Sequence, residues 1–187
     1  MISGVLLAAG SDSRFGSHKL LHLLPGNTPI GVAAARHLNQ GVGHASAVVK
    51  PDDFRLQDLL YAEGLDIVIS DHADHGISAS LVSGIQATPD ADSWLIALAD
   101  MPWVRPQTIH AIAMMLQDGS SLAAPFYQGR RGHPVGFSRG LLPELPSLVG
   151  DKGACALLQT KGDLLRSYHC DDPGILLDID TQADLPA

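Results

Sequence analysis

Val5-Leu6-Leu7-Ala8-Ala9-Gly10-Ser11-Asp12-Ser13-Arg14-Phe15-Gly16-Ser17-His18-Lys19 is an apolar run that breaks into a loop of small residues. The run, Ile2 to Ala9, has the length of one buried strand. In the loop, small side chains let successive backbone N–H groups converge on anionic oxygen. Arg14 adds a planar, forked cation and Lys19 a point charge, in a chain with only four lysines. The stretch therefore predicts a triphosphate site at a strand end. It matches neither G-x-x-x-x-G-K-[ST] nor G-x-G-x-x-G. The plainer alternative is an ordinary strand-to-helix turn in which Arg14 and Lys19 are simply solvated.

Working outward, short apolar runs alternate with helical patterns, the sign of βαβ units and a mainly parallel sheet. Strands are expected at Ile2–Ala9, Ala45–Val49, Asp66–Ile69, Trp94–Leu98, Leu122–Ala124, Val135–Phe137 and Ile175–Asp178, with a weaker one at Leu165–His169. Thr28-Pro29 is read as the cap of a helix over Ile30–Gln40. Asp52 or Asp53 caps a second helix that runs through Glu63 and stops at Gly64. A third runs from Gly76 to Gln86, a fourth from Arg105-Pro106 to Gln117, and a fifth from Gly153 to Thr160. With 187 residues and no linker, repeat or low-complexity stretch, residues 1–187 read as one α/β domain.

The totals exclude several classes. Twelve basic against twenty acidic residues give a formal charge of −8, which argues against nucleic acid as a partner. An acidic protein that handles an anionic substrate needs local cations or a divalent metal. Cys155 and Cys170 lie outside any C-x-x-C arrangement and read as buried, reduced thiols. Ile2–Ala9 is too short for a signal peptide, and no run approaches a membrane span, so a soluble cytoplasmic protein is expected.

In open parallel sheets ligands bind beyond the carboxyl ends of the strands. Ala9-Gly10 and Asp100 both fall at such ends. Asp100 follows the buried run Trp94-Leu95-Ile96-Ala97-Leu98-Ala99, and Pro102 forces the chain out of the sheet. A carboxylate there suits a hard divalent cation, whose shell keeps waters and substrate phosphates; the alternative is a turn or capping residue. Asp178 and Asp180 would share a face of a strand. Either completes a magnesium site with Asp100, or Asp180 caps the terminal helix.

Gln128-Gly129-Arg130-Arg131-Gly132-His133-Pro134 is the basic cluster. It either clamps an anionic substrate or forms a solvated hairpin tip. Gly150-Asp151-Lys152-Gly153-Ala154 either brings Lys152 and helix N–H groups to an anion or simply starts a helix. Asp71-His72-Ala73-Asp74-His75 lacks an evident third ligand for zinc. Gly76-Ile77-Ser78-Ala79-Ser80 is not G-x-S-x-G, which argues against serine hydrolysis.

Together these motifs resemble the nucleotidyltransferase family that includes molybdenum cofactor cytidylyltransferase. That family's L-A-A-G-x-S-x-R-x-G-x-x-K is met by Leu7 to Lys19. Its G-x-x-x-S-L-x-x-G is met by Gly76, Ser80, Leu81 and Gly84, and its L-A-D-x-P by Leu98 to Pro102. G-R-R-G-H-P-V is Gly129 to Val135, G-D-x-G-A is Gly150 to Ala154, and D-I-D-T is Asp178 to Thr181. The order is kept across nearly the whole chain.

The resemblance implies a three-layer, Rossmann-like nucleotidyltransferase fold. It places triphosphate on Leu7, Ala8, Ala9, Gly10, Arg14 and Lys19, with Gly76 and Ser80 near the base or ribose. It implies Mg²⁺ at Asp100, with Asp180 as its second contact. Ala9 resembles the cytidylyl-transferring branch, so CTP is the expected nucleotide. Arg130, Arg131, His133 and Lys152 would face a phosphorylated pterin, and a molybdoenzyme would receive the product. Asp12 departs from the family's serine and sets a carboxylate near triphosphate oxygens. A non-catalytic nucleotide-binding module and a nicotinamide-dependent oxidoreductase on a similar fold are the competing classes.

Overall fold

The computed structural model describes residues 1–10, 15–16, 18–147, 158 and 161–185. In chain order its elements are β1 (Ile2–Leu7), β2 (Leu23–Leu24), β3 (Thr28–Pro29), α1 (Ile30–Val42), β4 (Ala45–Val49), α2 (Phe54–Ala62) and β5 (Asp66–Ile69). There follow α3 (Ile77–Gln86), β6 (Ser93–Leu98), α4 (Pro106–Gln117), β7 (Leu122–Tyr127), β8 (Arg130–Arg131), β9 (Val135–Ser138) and β10 (Leu165–His169).

Among the described residues the main sheet has the order β10-β7-β9-β6-β1-β4-β5, with β8 beside β7. β1 pairs in parallel with both β4 and β6. β9 runs antiparallel between β6 and β7, so the sheet is mainly parallel but mixed. Alternation along β1 sends Val5 and Leu7 toward Leu81 and Ile85 of α3. Leu6 and Ala8 turn the other way, into a core with α1, α2 and α4. Helices on both faces account for the continuous apolar strands, and the three-layer α/β architecture is the expected one.

Local chemistry sets most boundaries. Asp53 caps α2 by accepting from Leu56 N at 3.3 Å, and Gly64 at φ +84° ends it. Thr28 is not the cap of α1: it pairs with Leu24 in the small β2–β3 ribbon, and no side chain caps the helix. The first helical N–H, that of Ile30, is satisfied instead by the His22 carbonyl at 3.0 Å. Gln128 and Gly129, both at positive φ, make the two-residue hairpin turn between β7 and β8.

One strand expectation is overturned and the weakest one is met. Ile175–Asp178 is not a strand: Pro173–Leu176 forms a 3₁₀ turn, started by the Asp172 side chain accepting from Gly174 N at 3.0 Å. The Ile175 carbonyl accepts from His133 N, outside any ladder. The weaker run Leu165–His169 is the true edge strand, β10, parallel to β7. An edge strand faces water, so its polar residues are in place there. The expected fifth helix, Gly153 to Thr160, lies outside the described residues apart from Leu158. Among the described residues no helix is long and apolar enough to cross a membrane.

Candidate active site at the strand switch point

The chain runs β1, β4, β5 outward in one direction, and after α3 it returns to place β6 on the other side of β1. Strand order therefore reverses between β1 and β6, where open sheets of this type bind ligands. Ala8 N donates to Val48 O at 2.9 Å and Ala99 N to Leu7 O at 3.1 Å, which carries the pairing one residue past the strands. Beyond these bonds Gly10 and Asp100 emerge on neighbouring strand ends. Leu7, Ala8 and Ala9 are buried and Gly10 is exposed.

Lys19 sits on a 3₁₀ turn, Lys19–Leu21, and is itself buried. Its Nζ donates to Asp100 Oδ2 at 2.8 Å and lies 3.7 Å from Asp180 Oδ1. The three side chains are 10%, 23% and 32% exposed, so the cluster is largely withdrawn from water. Asp180 reaches it because Ile179 N donates to the Asp100 carbonyl at 3.0 Å, fastening the 177–181 segment to the end of β6.

Asp180 is not the cap of the terminal turn. Thr181 holds that position, in a capping box with Asp184. Asp184 accepts from Thr181 N at 2.7 Å and Asp180 N at 3.1 Å. Those bonds, with a smaller contribution from the Lys19 charge, hold its carboxyl below the usual range.

Two carboxylates aimed at one cation form a hard-oxygen donor set. No group of three or more His, Cys, Asp or Glu ligands occurs among the described residues. Mg²⁺ needs no such group, because it takes one or two carboxylates plus substrate phosphates. The donor set thus fits a divalent cation bound together with a phosphate ligand. His72 and His75 stack with centroids 5.4 Å apart and belong to no such ligand group.

A cavity of about 40 Å³ lies against Leu7, Ala8, Gly10, Lys19 and Asp100. A second of about 140 Å³ extends from Ala8, Gly10 and His18 to Lys50 and Asp53. Lys50 was not singled out from the sequence. Its position just past β4, on the ligand edge of the sheet, is the signal that marks it. Gly76, at φ +97°, opens α3 at the same edge, and Ser80 is buried in the first turns of that helix.

The basic turn is tied to the segment that carries Asp180. Gly132 N donates to Pro125 O at 2.9 Å and His133 N to Ile175 O at 3.0 Å. A Cβ on Gly132 would lie 2.2 Å from that Ile175 carbonyl, so the close approach requires glycine. Arg130 is exposed, whereas Arg131 is half-buried. His133 is not a cation of this cluster: burial and the Arg131 charge push its pKa down to about 4, against a smaller opposing pull from Asp178. Its Nδ1 is buried with no hydrogen-bond partner among the described residues. Arg14, Lys152, Asp12 and Cys155 lie outside the described residues. Cys170 is half-buried, its Sγ 3.5 Å from Phe126 O.

Sequence reading also missed Asp172. It is 1% exposed and accepts from Arg105 N at 2.9 Å, Thr108 Oγ1 at 2.7 Å and Gly174 N at 3.0 Å. It thereby caps α4 from 67 residues away in sequence and anchors the start of the Asp180 segment.

The model of the MobA-like NTP transferase domain matches residues 4–167. The chain belongs to this family. Among curated relatives, "Nicotine blue oxidoreductase" of Paenarthrobacter nicotinovorans is 31% identical, over 96% of this chain and 92% of its own. Among solved structures, a nucleotidyl transferase from Methanothermobacter thermautotrophicus superposes with a TM-score of 0.83 at 27% identity, over 98% of this chain and 94% of its own. Rv0371c of Mycobacterium tuberculosis, as a complex with manganese, superposes at 0.77 with 26% identity, over 98% of this chain and 95% of its own.

Proposed function

We propose that this MobA-like protein transfers a cytidylyl group from CTP to the terminal phosphate of a molybdopterin-type acceptor and releases pyrophosphate. The observation that carries the reading is the convergence of Lys19, Asp100 and Asp180 at the strand switch point. An acceptor phosphate oxygen forms the new bond to the α-phosphorus as the bond to the bridging oxygen of pyrophosphate breaks. The nucleophile is already anionic, so no general base is required. Positioning and charge neutralisation therefore supply most of the rate.

In this reading the strand end Leu7 to Gly10 borders the triphosphate, the N–H groups of Ala9 and Gly10, past the Ala8–Val48 bond, turn to its oxygens, and Lys19 and Arg14 take up charge on the departing pyrophosphate. Gly76 and Ser80 lie toward the base or ribose. Asp100 and Asp180 would hold a divalent cation such as Mg²⁺, which would supply neutralisation of phosphate charge. Arg130, Arg131 and Lys152 supply positive charge to the acceptor, and His133, being neutral, serves it by shape and hydrogen bonding. Cytidylyl preference rests on Ala9 alone.

The test is pyrophosphate release with Mg²⁺ and each of CTP, GTP, ATP and UTP, with and without molybdenum cofactor. Cofactor-dependent release with CTP is expected. Lys19→Ala or Asp100→Ala should lower it about a hundredfold or more with the fold retained. Unchanged turnover in either variant would remove its role. A second reading, a nicotinamide-dependent oxidoreductase, is favoured by the 31% identity to nicotine blue oxidoreductase. Stabilisation by NAD(P)H rather than by CTP with Mg²⁺ in a thermal-shift panel would select it.

A further inference from the structure

We infer that Lys19 is the built-in competitor for the divalent cation at Asp100 and Asp180. On this view metal and triphosphate bind cooperatively, because the phosphate draws Lys19 off the carboxylates. This inference rests on the proposed nucleotidyl-transfer reading of the site.

Three observations carry it. First, one atom occupies the meeting point of both carboxylates: Lys19 Nζ stands 2.8 Å from Asp100 Oδ2 and 3.7 Å from Asp180 Oδ1. A divalent cation that took both carboxylates would stand against this ammonium, and two cations at such separation in a partly dehydrated site repel strongly.

Second, the carboxylates have fixed backbones. Asp100 lies between the Ala99 bond to β1 and the Met101 N–Leu98 O turn, and its carbonyl holds Ile179 N at 3.0 Å. Asp180 N is held by Asp184 at 3.1 Å. Lys19 is different. Its backbone is pinned in the turn by His22 N donating to Lys19 O at 3.0 Å, but its charge rides on four rotatable methylenes. The lysine charge is therefore the part of the cluster carried on the longest and most rotatable side chain.

Third, an alternative partner for the ammonium would lie within reach. Lys19 lines a cavity with Leu7, Ala8, Gly10 and Asp100, at the strand end beyond which a triphosphate would sit. Phosphate oxygens there offer the ammonium a replacement for Asp100, and each Lys19 contact so released frees a carboxylate for metal. By linkage, metal must then favour nucleotide by the same factor. The site fills as a metal–nucleotide unit, and metal alone binds weakly.

The experiment measures Mn²⁺ alone, by the electron paramagnetic resonance of the free ion, against the purified full chain without nucleotide. Lys19→Met should bind Mn²⁺ about tenfold more tightly than the wild type, within the usual range of coupling between two sites. Lys19→Arg, which keeps the charge, should stay at the wild-type value. Adding Asp100→Asn to Lys19→Met should abolish the gain. Cooperative thermal unfolding of each variant checks that the fold is kept. Equal Mn²⁺ affinity in the wild type and Lys19→Met would overturn the inference, as would a gain that survives Asp100→Asn. Because neither nucleotide nor turnover is involved, this result and the pyrophosphate assay fail independently.

Discussion

Removing the Asp172 carboxylate tests whether one buried side chain joins α4 to the segment that delivers Asp180. Asp172 is 1% exposed and accepts three hydrogen bonds, from Arg105 N, Thr108 Oγ1 and Gly174 N. The Thr108 Oγ1 and Gly174 N bonds are buried and the Arg105 N bond is part-buried, so alanine leaves these donors without their acceptor. At about 1 kcal/mol net for each bond, Asp172→Ala should cost about 3 kcal/mol. For a chain of this size that is a fall of about 10 °C in melting temperature, checked by calorimetry and by a lower urea midpoint at unchanged m. Asp172→Asn keeps the shape but turns an amide donor toward one set of donors, so roughly half the loss is expected. The neighbouring Asp171 is the control. Its side chain is 97% exposed and meets Arg105 Nη1 at 3.3 Å, a contact that water screens. Asp171→Ala should leave the melting temperature unchanged within error. If Asp171→Ala and Asp172→Ala cost the same, or if Asp172→Ala costs under about 1 kcal/mol, the capping argument is wrong.

Two further outcomes follow from packing and titration. His133 has its pKa pushed down to about 4, so the unfolded chain takes up the proton first as pH falls. Its contribution is present above about pH 6.5 and is lost between there and pH 4, up to about 3 kcal/mol. The stability gap between wild type and His133→Phe should therefore shift in favour of the variant from pH 7 to pH 4.5; an unchanged gap would refute the burial argument. A Cβ on Gly84 would lie 2.5 Å from Val5 Cγ1 and 3.0 Å from Val48 Cγ2, both on stiff, buried side chains. Gly84→Ala should destabilise by about 2 kcal/mol, overpacking outweighing the gain in helix propensity, as read from chemical denaturation. A stabilised variant would show that α3 can move off β1.

The alternation of strands and helices and the ligand edge were legible from neighbouring residues alone. Short apolar runs such as Val5–Leu7 and Trp94–Leu98, alternating with helical patterns, read as strands of a parallel sheet, and the residues that follow them then emerge at its carboxyl edge. Asp53 and Gly64 declared the ends of α2 because capping and positive φ are properties of single residues. Gly10, Lys19 and Asp100 were legible because each follows a recognisable strand or the small-residue loop after it.

The remaining features depend on groups far apart in the chain. Ile175–Asp178 opens on apolar residues like a strand, but the Ile175 carbonyl accepts from His133 N and the Ile175 side chain is buried in the core, with no neighbouring ladder among the described residues. Leu165–His169 is polar because edge pairing with β7 exposes it. Asp180 rather than Thr181 turns to Lys19, since the Asp184 capping box takes the terminal N–H groups. Asp172 read as one acid among twenty until the fold carried it to the start of α4. Local conformational preference is written in neighbouring residues, whereas which donor meets which acceptor across the core is settled only when the layers pack.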